Sequence, residues 1–258
     1  MKSIASGLLL LALSLGAQAA VQNKSVTYQD GDTMLNGFLY WDDAIEGPRP
    51  GVLVIHEWWG LNDYAKKRAH MLAELGFVAF AADMYGDGHV TDKPDQARTW
   101  MQEVTADVDG WRARALLGLE QLKASGLVAD DNVAAIGYCF GGATVLQMAY
   151  AGYPLKGVVT FHGSLPAAPE ESKGGIAPRL LVLHGAADAW VAPEVIANFQ
   201  AKLAEAGANW EMDIYGGARH GFTNPDAGRF GIDNLVYNKQ ADERSWARAQ
   251  EFFSEIFD

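Results

Sequence analysis

From Gly51 onward the chain alternates short β-branched apolar runs with longer amphipathic stretches, and only brief turns separate them. Gly51-Val52-Leu53-Val54-Ile55 has no polar position, the pattern of a strand buried on both faces. Further strand-like runs fall at 77–82, 133–136, 157–161, 180–183 and 210–215. Between them, residues 62–75 place Ala65, Ala69 and Leu72 on one helical face, and Gly76 stops that helix. Residues 94–104 and 107–123 also read as helices, the second with Trp111, Ala115, Leu119 and Leu122 in one stripe. A helix starts near Gly141, another covers 193–206, and a closing helix from about Lys239 carries Trp246, Phe252, Phe253 and Ile256. Upstream, residues 26–40 read as two antiparallel strands around Asp30-Gly31-Asp32. An antiparallel entry followed by repeated β-α units predicts an α/β fold, a mostly parallel central sheet with helices on both faces. No Pro/Gly/Ser-rich linker, charge block or internal repeat divides residues 20–258, so they read as one domain. Residues 83–92 and 221–238 are long enough to be functional loops.

Composition narrows the function classes. An apolar fraction of 49% over 258 residues leaves ample material for a core and rules out a disordered chain. The net charge of -12 argues against nucleic acid as the main ligand. A single cysteine, Cys139, excludes a disulfide scaffold within the monomer and a Cys-rich zinc site. Residues 1–19 read as a secretory signal peptide: Lys2 supplies the positive start, 4–15 are apolar or small, and Ala17-Gln18-Ala19 has the cleavage pattern. The apolar run is too short to span a bilayer comfortably, so the mature protein is expected to be soluble, away from the membrane, and periplasmic or secreted.

The sharpest chemical signal is Gly137-Tyr138-Cys139-Phe140-Gly141-Gly142, lying between a buried strand and a helix. Gly-x-nucleophile-x-Gly in that context is a nucleophile elbow, with glycines where a Cβ would strike the neighbouring strand and helix. The helix start favours a thiolate through its backbone N–H groups and its dipole. A thiol needs a base, and His220, just past the last strand, is the best candidate. Asp188, in Leu183-His184-Gly185-Ala186-Ala187-Asp188, can fix the imidazole tautomer. The order Cys139, Asp188, His220 is that of the α/β-hydrolase fold, and all three fall at carboxyl ends of strands. An oxyanion hole would use the N–H of Phe140 and, from the loop His56-Glu57-Trp58-Trp59-Gly60, that of Trp58. Simple loop packing accounts equally well for Trp59.

With these motifs, and with Ala82-Asp83-Met84-Tyr85-Gly86 and Arg219-His220-Gly221-Phe222, the chain resembles the dienelactone hydrolase family from about residue 27 to its end. The resemblance implies a Cys139–Asp188–His220 triad acting on small carboxylic esters or lactones through an acyl-thioester. It also implies that Glu57 sits near the sulfur and takes part in switching the thiol; the alternative for Glu57 is a carboxylate paired with an arginine. Tyr85 falls in the substrate pocket. His162 either lines that pocket or is a satisfied packing histidine. Family members that act on dienelactone bind its carboxylate with arginines at two positions, here Asp87 and Asn224. A dienelactone specialist is therefore not expected. Arg219 and Arg229 are candidates to replace the lost charges, and both also suit a solvated surface.

The chemistry is complete with side chains and water, so no cofactor is implied. A secreted binder of small ligands on the same fold is the alternative, because fold alone does not fix turnover. A metal hydrolase built on His56, His184 and His220 lacks any familiar ligand spacing. Oligomeric state has no signature in the sequence.

Overall fold

A computed structural model describes residues 21–258; the leader reading for 1–19 lies outside the described residues. The chain enters as a hairpin, β1 (Val21–Asp30) and β2 (Thr33–Asp42), turning at Gly31 with φ 56°. It then alternates through β3 (Arg49–Ile55), α1 (Asp63–Glu74), β4 (Val78–Ala82), α2 (Pro94–Thr105), α3 (Val108–Lys123) and β5 (Val128–Tyr138). The second half runs α4 (Phe140–Tyr150), β6 (Gly157–Phe161), β7 (Arg179–Gly185), α5 (Pro193–Glu205), β8 (Trp210–Tyr215) and α6 (Lys239–Phe257).

All eight strands form one sheet in the order β1-β2-β4-β3-β5-β6-β7-β8. β1 and β2 pair antiparallel, β2 joins β4 antiparallel, and every other pairing is parallel. This is the α/β-hydrolase fold that the sequence predicts. Two elements run longer than their apolar runs. β1 begins at Val21 although Asn23, Lys24 and Ser25 are exposed, because an edge strand needs only one partner and polar side chains protect its free edge. β5 extends back to Val128, which pairs with Arg49 across an irregularity in register.

The strand pleat sends alternate side chains to opposite faces. Leu53, Ile55, Phe80, Val133 and Ala135 pack with Trp111, Ala115, Leu119 and Leu122 of α3 and with Phe199 and Leu203 of α5. Val52, Val54, Ala81, Ile136 and Val159 pack with Ala65, Ala69 and Leu72 of α1 and with Phe252, Phe253 and Ile256 of α6. Both α1 and α6 start with an asparagine cap, Asn62 to the N–H of Ala65 and Asn238 to that of Ala241.

The strand order reverses at β3: the chain goes to one side for β4 and to the other for β5. The loops leaving β3 and β5 therefore diverge, and the crevice between them is where open α/β sheets hold ligands.

Candidate active site

Cys139 stands between the last residue of β5 and the first of α4, at φ 54° and ψ -114°. A non-glycine residue held in that region costs of order 1–3 kcal/mol. The packing around it demands the turn. A Cβ on Gly137 would lie 1.9 Å from the Gly141 oxygen, and one on Gly141 would lie 2.3 Å from the Ile55 oxygen. The Cys139 N–H is tied to the Phe161 carbonyl at 3.1 Å. The Phe140 N–H, first in its helix, has no carbonyl one turn back and makes no hydrogen bond among the described residues.

The loop after β3 is braced from the side. Asp83 accepts from the N–H groups of Asn36, Tyr85, Gly86 and Gly88 at 2.9–3.1 Å, which shapes the turn carrying Tyr85. The Tyr85 hydroxyl then donates to the Trp58 carbonyl at 2.9 Å. Trp58 N–H, like that of Phe140, is unspent among the described residues. Burial, followed by the charge of Cys139, raises the Tyr85 phenol above its ordinary value, and the Tyr85 ring lies 5.7 Å from that of Phe140, the residue after the cysteine.

His220 Nδ1 is 2.7 Å from Asp188 Oδ2, and both side chains are buried. Nδ1–H donates to the carboxylate, so Nε2 is the ring nitrogen not engaged by Asp188. The second Asp188 oxygen accepts from Asn234 Nδ2 at 2.9 Å and from the Trp190 N–H at 3.0 Å. Burial alone would raise the Asp188 carboxyl; the His220 hydrogen bond and charge, with Asn234 and Trp190, outweigh it and hold the group down at about 2. Burial alone would lower His220. The charge of Cys139 and the bond to Asp188 overcome it and push the imidazole up to about 10. No partner meets Nε2 at full hydrogen-bond geometry. The charge of Cys139 is the first of the causes that raise the imidazole.

Glu57 is buried, and its Oε2 accepts from Asn224 Nδ2 at 2.6 Å. Burial raises this carboxyl to about 7 against the opposing Asn224 bond and the charges of His220 and Arg68. The arginine pairing considered for Glu57 thus gives way to an asparagine, with Arg68 acting only through its charge. Asn224 faces inward to Glu57 rather than toward a substrate carboxylate, and Asp87 is exposed at φ 52°. Arg219 Nη1 donates to the Asp233 carbonyl, and the Arg229 guanidinium lies 4.9 Å from the Phe230 ring centre.

Two residues expected in the pocket are placed elsewhere. Trp59 is fully buried and stacks on Phe230 with ring centres 3.8 Å apart, the packing alternative. His162 is also fully buried, behind His220, with Nε2 2.7 Å from Thr223 Oγ1; burial, then the charge of His220, keeps it well below the ordinary histidine value. His56 is committed as well: Nε2 accepts from the Met84 N–H at 3.2 Å, so Nδ1–H donates to the Glu57 carbonyl. Among the described residues no three His, Cys, Asp or Glu side chains converge as a metal-binding group. No helix among them is long and apolar enough to cross a membrane.

The model of the dienelactone hydrolase family matches residues 35–257. The chain belongs to the dienelactone hydrolase family. As a member of that family it is a carboxylic ester hydrolase, and its substrate is a small-molecule ester or lactone. It is 42% identical to a crystallised dienelactone hydrolase-like promiscuous phosphotriesterase from metagenomic libraries, over 93% of this chain and 100% of that one, with a TM-score of 0.90. It is 28% identical to a Saccharolobus solfataricus protein provisionally named a carboxymethylenebutenolidase, over 90% of this chain and 98% of that protein. It is 29% identical to Protein usf of Aquifex pyrophilus, over 80% and 88%.

Two residues of this dienelactone hydrolase family member that pack against the candidate site have little signal in the sequence. Asn234 holds Asp188 and, through its Oδ1, the Ala189 N–H at 3.0 Å. Its only signal is membership of the long 221–238 loop. That loop folds back so that the Val236 N–H bonds the His220 carbonyl at 3.1 Å. Trp190, two residues past Asp188, lays its ring 4.7 Å from that of His220, and no periodicity announces it.

Proposed function

We propose that the chain hydrolyses small, neutral carboxylic esters or lactones through a Cys139–His220–Asp188 triad and an acyl-thioester. One observation carries the reading. A strained cysteine stands at a helix start, and a buried imidazole is bonded through Nδ1 to a buried carboxylate with its other nitrogen unengaged among the described residues.

The thiol proton resides on His220 Nε2, which the thiolate charge and Asp188 keep protonated near neutrality, and the Cys139 sulfur attacks the carbonyl carbon. The carbonyl electron pair moves onto oxygen, where the Trp58 and Phe140 N–H groups receive it. The C–O bond to the alcohol then breaks, and His220 returns the proton to the departing oxygen. Water attacks the thioester carbon and gives a proton to His220. The C–S bond breaks, the acid leaves and the thiolate is restored. Asp188 stabilises the imidazolium in both halves without itself becoming protonated. Glu57, gripped by Asn224, shifts between neutral and charged forms near neutrality, which tunes the repulsion on the thiolate. Because Asp87 faces solvent and Asn224 is engaged, neither position offers a cation to a substrate carboxylate.

The test is hydrolysis of a panel of lactones and short-chain aryl esters by the native protein and by Cys139→Ala. Activity should vanish in the variant with its circular dichroism intact; undiminished turnover would remove the thiol from the mechanism. Phosphotriester hydrolysis is a second reading, favoured by the 42% identical relative described as a promiscuous phosphotriesterase. Release of 4-nitrophenol from diethyl 4-nitrophenyl phosphate would establish it. Export follows from cleavage after Ala19, leaving residues 20–258 as one periplasmic or secreted domain. A mature protein that does not begin at Ala20 would contradict this.

A further inference from the structure

The side chains around the sulfur are closed in except at one place. Cys139 is 8% exposed, Trp58 7%, Tyr85 8% and His220 1%, whereas Trp190 is 47% exposed. The Trp190 ring lies 4.7 Å from that of His220 and 5.9 Å, edge-on, from that of Trp58. It therefore bridges the catalytic base and the loop that carries the oxyanion donor. Its position is fixed at the backbone, where its N–H bonds Asp188 at 3.0 Å. Beside it the buried donor Trp58 Nε1 has no hydrogen-bond partner among the described residues. An unpaired buried donor is costly, and at a binding site the missing partner is supplied by the ligand.

We propose that Trp190 and Trp58 are the specificity-determining wall of the site on its leaving-group side. His220 returns its proton to the departing oxygen, so the alcohol half of the ester lies on the His220 side, against Trp190. The exposed indole of Trp190 selects a flat, aromatic alcohol over a puckered aliphatic one. Trp58 Nε1–H donates to the alcohol oxygen. This rests on the hydrolase reading and adds to it the class of substrate, neutral esters of arylmethyl and related aromatic alcohols.

Benzyl and cyclohexylmethyl methoxyacetate test it, because the two alcohols match in size and basicity and differ in flatness. In the native enzyme kcat/KM should favour the benzyl ester by about 3- to 10-fold, the size of an aromatic pairing preference. Trp190→Leu should bring the ratio near one, and Trp190→Phe should restore most of it. Trp58→Phe keeps a ring and loses only the donor; kcat should fall by about 3- to 10-fold with the benzyl preference kept. Binding gives a readout that needs no turnover. In Cys139→Ala, benzyl alcohol should quench tryptophan emission at lower concentration than cyclohexylmethanol, and adding Trp190→Leu should erase that difference. Hydrolysis with the same ester ratio in native enzyme and Trp190→Leu overturns the wall and leaves the hydrolase reading standing. An unchanged kcat in Trp58→Phe overturns the donor. No hydrolysis of any ester, with the alcohol preference present and dependent on Trp190, sinks the hydrolase reading and keeps the wall.

Discussion

Two buried polar groupings lie side by side under the loop that follows β8, and they are finished to different degrees. The rear one is closed around its cation, although His162 Nδ1 and the Tyr138 hydroxyl have no partner among the described residues. Arg68 donates to the Thr223 carbonyl at 2.7 Å and to the Tyr64 hydroxyl at 3.3 Å, and it pairs with Asp242. Thr223 Oγ1 meets both the Tyr64 hydroxyl at 2.5 Å and His162 Nε2 at 2.7 Å. Rings of Tyr64, Tyr138 and Trp246 surround the guanidinium at 5.3–5.6 Å. The front grouping is anchored at one end, where Asp188 holds His220, and open at the other, where Nε2 has no hydrogen-bond partner among the described residues. His220 and Thr223 are three residues apart on one loop, so the closed cluster fixes the backbone from which the open one works. The rear grouping engages its cation, while the front imidazole keeps one nitrogen without a hydrogen bond among the described residues.

The largest expected effect breaks the open grouping at its tip. Cys139→Ala should lower ester hydrolysis by at least about 10³-fold, with the fold retained by circular dichroism. Asp188→Asn should follow, at about 10²- to 10⁴-fold in kcat, because an amide no longer fixes the imidazole tautomer. Turnover within tenfold of native in Asp188→Asn would place the orienting group elsewhere. The closed grouping should respond in stability. Arg68→Leu leaves Asp242 without its partner and removes a cation held among three rings, and should cost about 3–5 kcal/mol in urea unfolding. A loss below about 1 kcal/mol, the worth of a surface pair, would mean that the cluster is not the anchor.

Glu57 sharpens the contrast at smaller scale, being buried yet ionisable near neutrality. Its folded pKa of about 7 lies above the unfolded value. The carboxyl therefore penalises the folded state increasingly as pH rises from the unfolded value through about 7, and not below it. Glu57→Gln should remove the penalty, raising Tm by several degrees at pH 8 and leaving it unchanged at pH 4. The gain is of order 3 kcal/mol, at ~1.4 kcal/mol per pKa unit. Equal Tm changes at both pH values would show that the substitution acts through packing alone.

The sequence made the sheet legible because the central parallel strands contain apolar runs, such as 51–55 and 133–136, and the helices carry stripes at helical spacing. It also made Cys139 legible, because the elbow's steric demand writes glycine at 137 and 141, where a Cβ has no room. Less visible was everything that depends on side chains meeting across long separations. Asn224 reaches Glu57 across 167 positions, and Asn234 reaches Asp188 across 46. Asparagine in a polar loop looks the same whether it faces solvent or grips a carboxylate. His162 and Trp59 were ambiguous for the converse reason: both end or follow strands at the catalytic edge, and only packing tells a lining residue from one buried behind it. Polar edge strand β1 ran past its apolar signal because its exposed side chains carry no core pattern.

The central claim is that Cys139 sulfur carries the acyl group. Mixing the native enzyme with 4-nitrophenyl acetate at pH 7, quenching in acid within milliseconds and measuring the intact mass tests it most directly. The mass should rise by one acetyl group alongside a burst of nitrophenol, the label should map to the peptide containing Cys139, and Cys139→Ala should show neither. A burst that persists in Cys139→Ala, or an acetyl group mapped to another side chain, would contradict the account.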